Sequence, residues 1–291
     1  MSDQLLQLLF TGLTLGSIYA LIALALVTTF NLTGVLNLAQ GEFVAIGALL
    51  AISIYSSGMP MPAAFAITVL LVAVLGGVLE RSAIHTARRA SGLTLIIITI
   101  GLAISLRGLA LLAWGTETYS LPAFSGGGPL FIQGAAITPQ SLWVFGLVAV
   151  TLAGLYAFFE LTYWGKAVKA SMINRTAARL VGINPNTVSF LAFVTSGALG
   201  AAAGIFIAPI TMTTYDMGFM LGVKGFVAAI IGGLGNVGGA VLGGLLLGVL
   251  ESYSAGLISS GSKDAITIII LLAVLLIKPE GIIGSFRQRK I

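Results

Sequence analysis

Residues 92–113, GLTLIIITIGLAISLRGLALLA, contain a single ionisable side chain, Arg107. A bilayer's hydrocarbon core takes about 20 apolar residues of helix to cross, and a helix satisfies its own backbone hydrogen bonds where lipid offers none. Residues 5–30, 140–160 and 188–209 are runs of the same kind. Charged residues make up 8% of the chain and hydrophobic ones 58%, with a mean hydropathy of +1.09. Soluble domains carry about 25% charge, so the chain reads as an all-α, polytopic membrane protein.

Five further apolar segments, at 35–57, 60–79, 216–235, 238–258 and 264–280, bring the expected count to nine. Eight is acceptable if a glycine-rich segment is broken or re-entrant. The polar stretches 80–91, 114–139 and 161–187 are too short to bury cores of their own. A single transmembrane domain over 1–291 is therefore expected. The start, MSDQLL, has no basic n-region, so the first segment is expected to remain as a helix.

The net charge of +5 is distributed by topology. Arg81, Arg88 and Arg89 share one loop; Lys166, Lys169, Arg175 and Arg179 share another; Lys278, Arg287, Arg289 and Lys290 form the tail, while 114–139 has neither Lys nor Arg. Positive-inside bias assigns the basic loops and the C-terminus to the cytoplasm and the N-terminus to the outside, with no call for nucleic acid. Trp114 and Trp143 then fall at outer boundaries and Trp164 at an inner one, as interfacial anchors do.

Glycine occurs 38 times. Gly12/Gly16, Gly200/Gly204, Gly239/Gly243 and Gly244/Gly248 match the small-xxx-small pattern of close helix contacts. IIGGLGNVGGAVLGG, residues 230–244, is dense enough in glycine to interrupt a helix, and SGGGP at 125–129 marks an irregular outer loop. Two echoes hint at a duplicated half: Gly34–Asn37 with Gly233–Asn236, and Gly-Val-Leu-Glu at 77–80 and 248–251. Their offsets differ, so one repeat cannot explain both.

Polar side chains inside such segments are expensive, about 2.5–3.5 kcal/mol for a charge at mid-bilayer on insertion scales. NLAQGEF, residues 37–43, gathers Asn37, Gln40 and Glu42 around Gly41. Glu42 reads either as part of a substrate path, with Asn37, Gln40, Gly41 and Asn236, or as a structural pair or cap. Arg107 sits two turns from Trp114 and calls for a carboxylate whose identity the sequence does not give. Lys224, near a span end, reads as a snorkelling anchor, and Glu251 lies within a helix.

Enzymatic signatures are absent. There is no GxxxxGK[ST] phosphate loop, no G-x-S-x-G and no HExxH, and His85 has no second His or Cys to complete a metal site. No cofactor of its own is expected. In the inner loop, Ile173, Ala177, Leu180 and Val181 follow i, i+4, i+7, i+8 and predict one amphipathic helix. Gly182-Ile183-Asn184-Pro185 then stops it, through a left-handed cap and an extended residue before proline. Such a helix suits a partner's groove; the same loop could equally just fix topology.

GLTLGSIYALIALAL, GVLNLAQGEFVAIGAL, GKAVKASMINRTAARLVGI, KGFVAAIIGGLGNVGGAVLGGLLLGVLES and KPEGIIG, in that order, resemble the branched-chain amino acid ABC transporter permeases. The resemblance covers almost the whole chain. It implies an importer subunit of a bacterial cytoplasmic (inner) membrane, with ATP and Mg bound by a separate cytoplasmic ATPase. It also implies a second permease chain, identical or related, and a periplasmic or lipid-anchored solute-binding protein. The loop 161–187 resembles the family's coupling loop, with Ile173, Ala177, Ala178, Arg179, Leu180, Gly182 and Ile183 as its coupling residues. ARLVGI, residues 178–183, matches best. Where relatives commonly read His-Gly-Glu, this chain has Gln40-Gly41-Glu42, and glutamine carries no proton. Amino acids lead as solute, with urea, short amides and small carboxylates as alternatives. A carrier of another class, coupled to an ion gradient through Glu42 or Glu251, needs neither ATPase nor coupling helix.

Overall fold

A computed structural model describes residues 2–87, 90–132 and 134–283. Arg88, Arg89, Arg287, Arg289 and Lys290 of the basic clusters lie outside the described residues, as does the side chain of Arg175.

Helix α1 (Ser2–Thr33) is followed by α2 (Gln40–Ser56), α3 (Met61–Leu79), α4 (Gly92–Trp114) and α5 (Pro139–Leu161). Two short helices, α6 (Tyr163–Ile173) and α7 (Arg175–Leu180), precede α8 (Pro185–Ile207), α9 (Met217–Gly232), α10 (Val237–Leu257) and α11 (Lys263–Ile277). The nine expected segments thus appear as nine helices among the described residues, six of them long and apolar enough to cross a membrane. α2 and α9 are shorter, at 17 and 16 residues. At 1.5 Å per residue they span about 25 Å, less than a core of about 30 Å. The segment expected at 35–57 begins its helix only at Gln40, because Gly34 (φ +74°) turns the chain out of α1 and residues 34–37 run without helix.

Glycine sets the packing. A Cβ added at Gly248 would lie 2.3 Å from the Gly16 Cα, and one at Gly244 2.4 Å from the Ala20 Cα, so α1 and α10 meet backbone to backbone. Gly204 approaches the Val44 carbonyl of α2, and Gly243 the Ala228 carbonyl of α9, in the same way. At this range the contact is dispersion between main chains that no side chain could fill. The glycine-dense stretch breaks as predicted: α9 ends at Gly232, Gly233 and Gly235 take positive φ, and Asn236 caps α10 by accepting from Gly239 N–H at 2.9 Å.

The helix pairing is reciprocal. α1 packs on α10 as α8 packs on α3, α2 on α8 as α9 on α1, and α2 on α4 as α9 on α11. α2 and α8 run parallel, with Gln40 beside Ser196 and Gly204 beside Val44, so α1–α4 and α8–α11 form two inverted sets. The Gly-Val-Leu-Glu echo fits this relation, since 77–80 ends α3 and 248–251 lies in α10. The Gly34/Gly233 echo does not, because it joins the α1–α2 linker to the α9–α10 linker.

One end of the bundle carries a hairpin absent from the sequence reading, which treats 114–139 as irregular: β1 (Leu130–Ile132) pairs with β2 (Ala135–Ile137). It is fastened to the start of α1, where Ala136 N–H donates to Gln7 Oε1 at 2.7 Å. Trp114 donates to Ser53 and Trp143 to Ser125 near this end. The opposite end carries α6, α7 and the tail, whose Ile282 N–H donates to the Ile231 carbonyl at 2.8 Å.

Candidate functional site

The linker before α2 is held by side chains because it is too short to form its own ladder. Thr99 of α4 donates to the Leu36 carbonyl at 3.1 Å and accepts from Leu38 N–H at 3.3 Å. Asn37 Oδ1 accepts from Ala39 N–H at 3.2 Å, while its buried Nδ2 has no hydrogen-bond partner among the described residues. Gln40 then opens α2.

Gly41 could be no other residue. A Cβ there would lie 1.9 Å from the Gly218 carbonyl oxygen and 2.7 Å from Gly222 N. The first turn of α9 therefore rests directly on the first turn of α2, and a Cβ at Gly218 would in turn meet the Gly41 carbonyl at 2.7 Å. Two incomplete helices begin against one another inside the bundle, which is how broken helices bring polar backbone into a membrane interior without facing lipid.

Around that crossing the polar side chains pair. Gln40, 1% exposed, donates through Nε2 to the Ser196 carbonyl at 3.1 Å and accepts from the Ser196 hydroxyl. Glu42, 2% exposed, accepts from Arg107 Nε at 3.2 Å and Nη2 at 2.5 Å. The Arg107 guanidinium also stacks over Phe219 of α9, 5.1 Å from the ring centroid. A carboxylate buried this deeply is tolerable only with such a charge-assisted pair. Arg107 keeps 28% of its side chain exposed, beside a largely exposed Phe219, and so joins the buried pair to the open surface.

The structure thus brings Asn37, Gln40, Gly41, Glu42 and Arg107 together. Asn236 stands apart as the cap of α10, where its Nδ2 donates to the Ile283 carbonyl at 3.4 Å. Ser196, Thr99 and Phe219 belong to the cluster yet carry no signal in the sequence, since Ser and Thr in apolar helices ordinarily bond their own preceding turn.

A second ionic group ties the other inverted set. Lys224 Nζ donates to Glu251 Oε1 at 2.8 Å and lies 3.1 Å from Asp264 Oδ1 and 5.7 Å from the Tyr19 ring centroid. Lys224 is buried, so the snorkelling reading is corrected: its ammonium turns inward onto the carboxylates of α10 and α11.

In the inner segment the single amphipathic helix is also corrected. Asn174 (φ −152°, ψ 106°) separates α6 from α7, and its side chain accepts from Ala177 N–H at 3.0 Å, which starts a new helix. Ile173, Leu180 and Val181 are nonetheless 75–85% exposed, Ala177 and Arg179 are exposed, and Ala178 is buried. Gly182 takes φ +85° and Asn184 ψ 112° before Pro185, so the stop signal acts as read.

A family described as branched-chain amino acid transport system, permease component, matches residues 8–277. The chain is 32% identical to the high-affinity branched-chain amino acid transport system permease protein BraD of Pseudomonas aeruginosa, over 98% of each. It is 33% identical to the corresponding protein LivH of Salmonella typhimurium, over 100% of each. A solved structure, PsaBC from Streptococcus pneumoniae in complex with Fab, shares the fold with a TM-score of 0.50 at 16% identity, covering 93% of this chain and 91% of that one.

Proposed function

Because this chain belongs to the family of branched-chain amino acid transport system permease components, we propose that it is the membrane-spanning subunit of an ATP-driven importer for branched-chain amino acids. Full-length identity to two such permeases carries the reading. An ion-coupled carrier is set aside, since Glu42 and Glu251, its candidate coupling groups, are both committed to cationic partners, Arg107 and Lys224.

The solute's route runs past the α2–α9 crossing. Arg107 offers a guanidinium held by Glu42 on one side and 28% exposed on the other, suited to a passing carboxylate, while Asn37 supplies an unspent amide. Gln40 and Glu42 act on the route by holding Ser196 and Arg107. Such sparse contact suits a conduit, in which tight binding would block release. Asn236 shapes the bundle at its far end as a helix cap.

The exposed apolar tips Ile173, Leu180 and Val181 meet a cytoplasmic ATPase, which binds the ATP and Mg. Loop 161–187 is the coupling loop, with Gly182 and Ile183 as its stop. A second permease chain completes the route, and a periplasmic or lipid-anchored binding protein delivers solute at the hairpin end. The α6–α7 end and the C-terminus face the cytoplasm of a bacterial cell. Expression with its ATPase and binding protein in cells lacking their own branched-chain uptake tests the reading. Leucine uptake that needs all components supports it, and uptake by this chain alone overturns it.

A further inference from the structure

At the α6–α7 end a cavity of about 540 Å³ opens between the end of α3, the start of α4 and the α7–α8 junction. Its walls include Glu80, His85 and Arg179, with Val35, Ile84 and Leu95 on the apolar side. Glu80 opens a five-residue π-helical segment, Glu80–Ile84, that carries it inward. The residue is 1% exposed, and its Oε2 has no hydrogen-bond partner among the described residues. His85 Nδ1 and Arg81 Nε each stand 4.0 Å from the carboxylate, too far to donate.

The inverted repeat supplies the comparison. Glu80 and Glu251 close the same tetrapeptide, Gly-Val-Leu-Glu, on the equivalent helices α3 and α10. Glu251 receives an ammonium, Lys224 Nζ at 2.8 Å. The α2 segment equivalent to α9 contains no lysine, and Glu80 faces a cavity where Glu251 faces that side chain. A buried carboxylate is costly where no donor reaches it; among the described residues Arg81 and His85 stay at 4.0 Å from Glu80, and the cavity leaves room for an ammonium to pair with it directly.

We propose that this cavity binds a free α-amino acid, with its ammonium on Glu80 and its carboxylate toward Arg179. The ammonium and carboxylate ends follow from the cavity; that the side chain against Val35, Ile84 and Leu95 is a branched aliphatic one rests on the proposed function. Arg179 belongs to α7, so an occupied cavity bridges the ATPase-facing helix to α3 and α4. Accumulated solute thereby acts back on its own importer from the cytoplasmic side.

The test is equilibrium binding of labelled L-leucine, leucinamide and 4-methylpentanoate to the full chain in lipid nanodiscs. Glu80→Gln is expected to weaken leucine and leucinamide by about tenfold to a hundredfold, the loss of one charge-assisted hydrogen bond, and to spare 4-methylpentanoate. Arg179→Gln, at an exposed site that folding tolerates, is expected to weaken leucine and 4-methylpentanoate and spare leucinamide. Leucine binding indifferent to both substitutions, or absent from a chain that imports leucine, overturns the site. If another amino acid binds through Glu80 and leucine does not, the site stands and the branched-chain assignment falls. Binding abolished by phosphatidylethanolamine in the disc gives the site to a lipid headgroup and overturns the free-ligand form.

Discussion

Removing Arg107 should cost the fold more than removing Glu42, although both belong to one ion pair. Glu42 is 2% exposed and Arg107 28%. Arg107→Leu strands a carboxylate in the interior, where breaking a buried pair costs about 3–5 kcal/mol. Glu42→Gln leaves an amide oxygen that still accepts from the guanidinium, and the guanidinium can draw on water at its exposed side. Its cost is therefore about 1–2 kcal/mol, a neutral hydrogen bond replacing a charge-assisted one. The double variant Glu42→Gln/Arg107→Leu removes the stranded charge and should recover part of the Arg107→Leu loss, with a coupling energy of about 3 kcal/mol. Reversible unfolding of the purified chain in mixed micelles, followed by tryptophan fluorescence, reads all three. Equal single effects, or strict additivity, would refute the reasoning. If the double variant is stable but transports poorly, Arg107 acts on the solute as well as on Glu42.

Gly41→Ala places a Cβ 1.9 Å from the Gly218 carbonyl oxygen and should lower stability by about 1–3 kcal/mol, whereas Gly101→Ala, with no atom within 4 Å, should be neutral or better in the same unfolding assay. Lys224→Met should destabilise by about 3–5 kcal/mol, and Lys224→Met/Glu251→Gln should recover much of it, measured by melting of the detergent-solubilised chain. Leu180→Asp, at a tip 85% exposed, should leave the chain folded and abolish co-purification of the ATPase, which Arg179→Ala should only weaken. Single cysteines at Ser125 and Asn174, probed with an impermeant thiol reagent on intact cells, should label at Ser125 alone.

The helices were legible because lipid imposes one rule on every crossing segment, and apolar length records it directly. The glycine break at 233–235 and the stop at Gly182–Pro185 were legible because each depends on its own residues' backbone conformation. Partnerships were not. Arg107 and Glu42 are 65 positions apart, and no local pattern says which carboxylate a buried guanidinium will meet. Lys224 misled for the same reason: its distance from a segment end predicts snorkelling only if no carboxylate lies inward within reach, and Glu251 does. Asn174 divided the inner helix because its side chain caps the next turn, a choice the apolar spacing of Ile173 and Ala177 cannot reveal. The Gly-Val-Leu-Glu echo marked the inverted repeat, but a second echo at another offset hid it until the helix pairing was known.

Leucine uptake into proteoliposomes containing the chain, its partner permease and its ATPase, with the binding protein outside, tests the central claim most directly. Uptake should require ATP sealed inside with the ATPase and should persist when ionophores collapse every ion gradient. Uptake driven by an imposed ion gradient without ATP would contradict it.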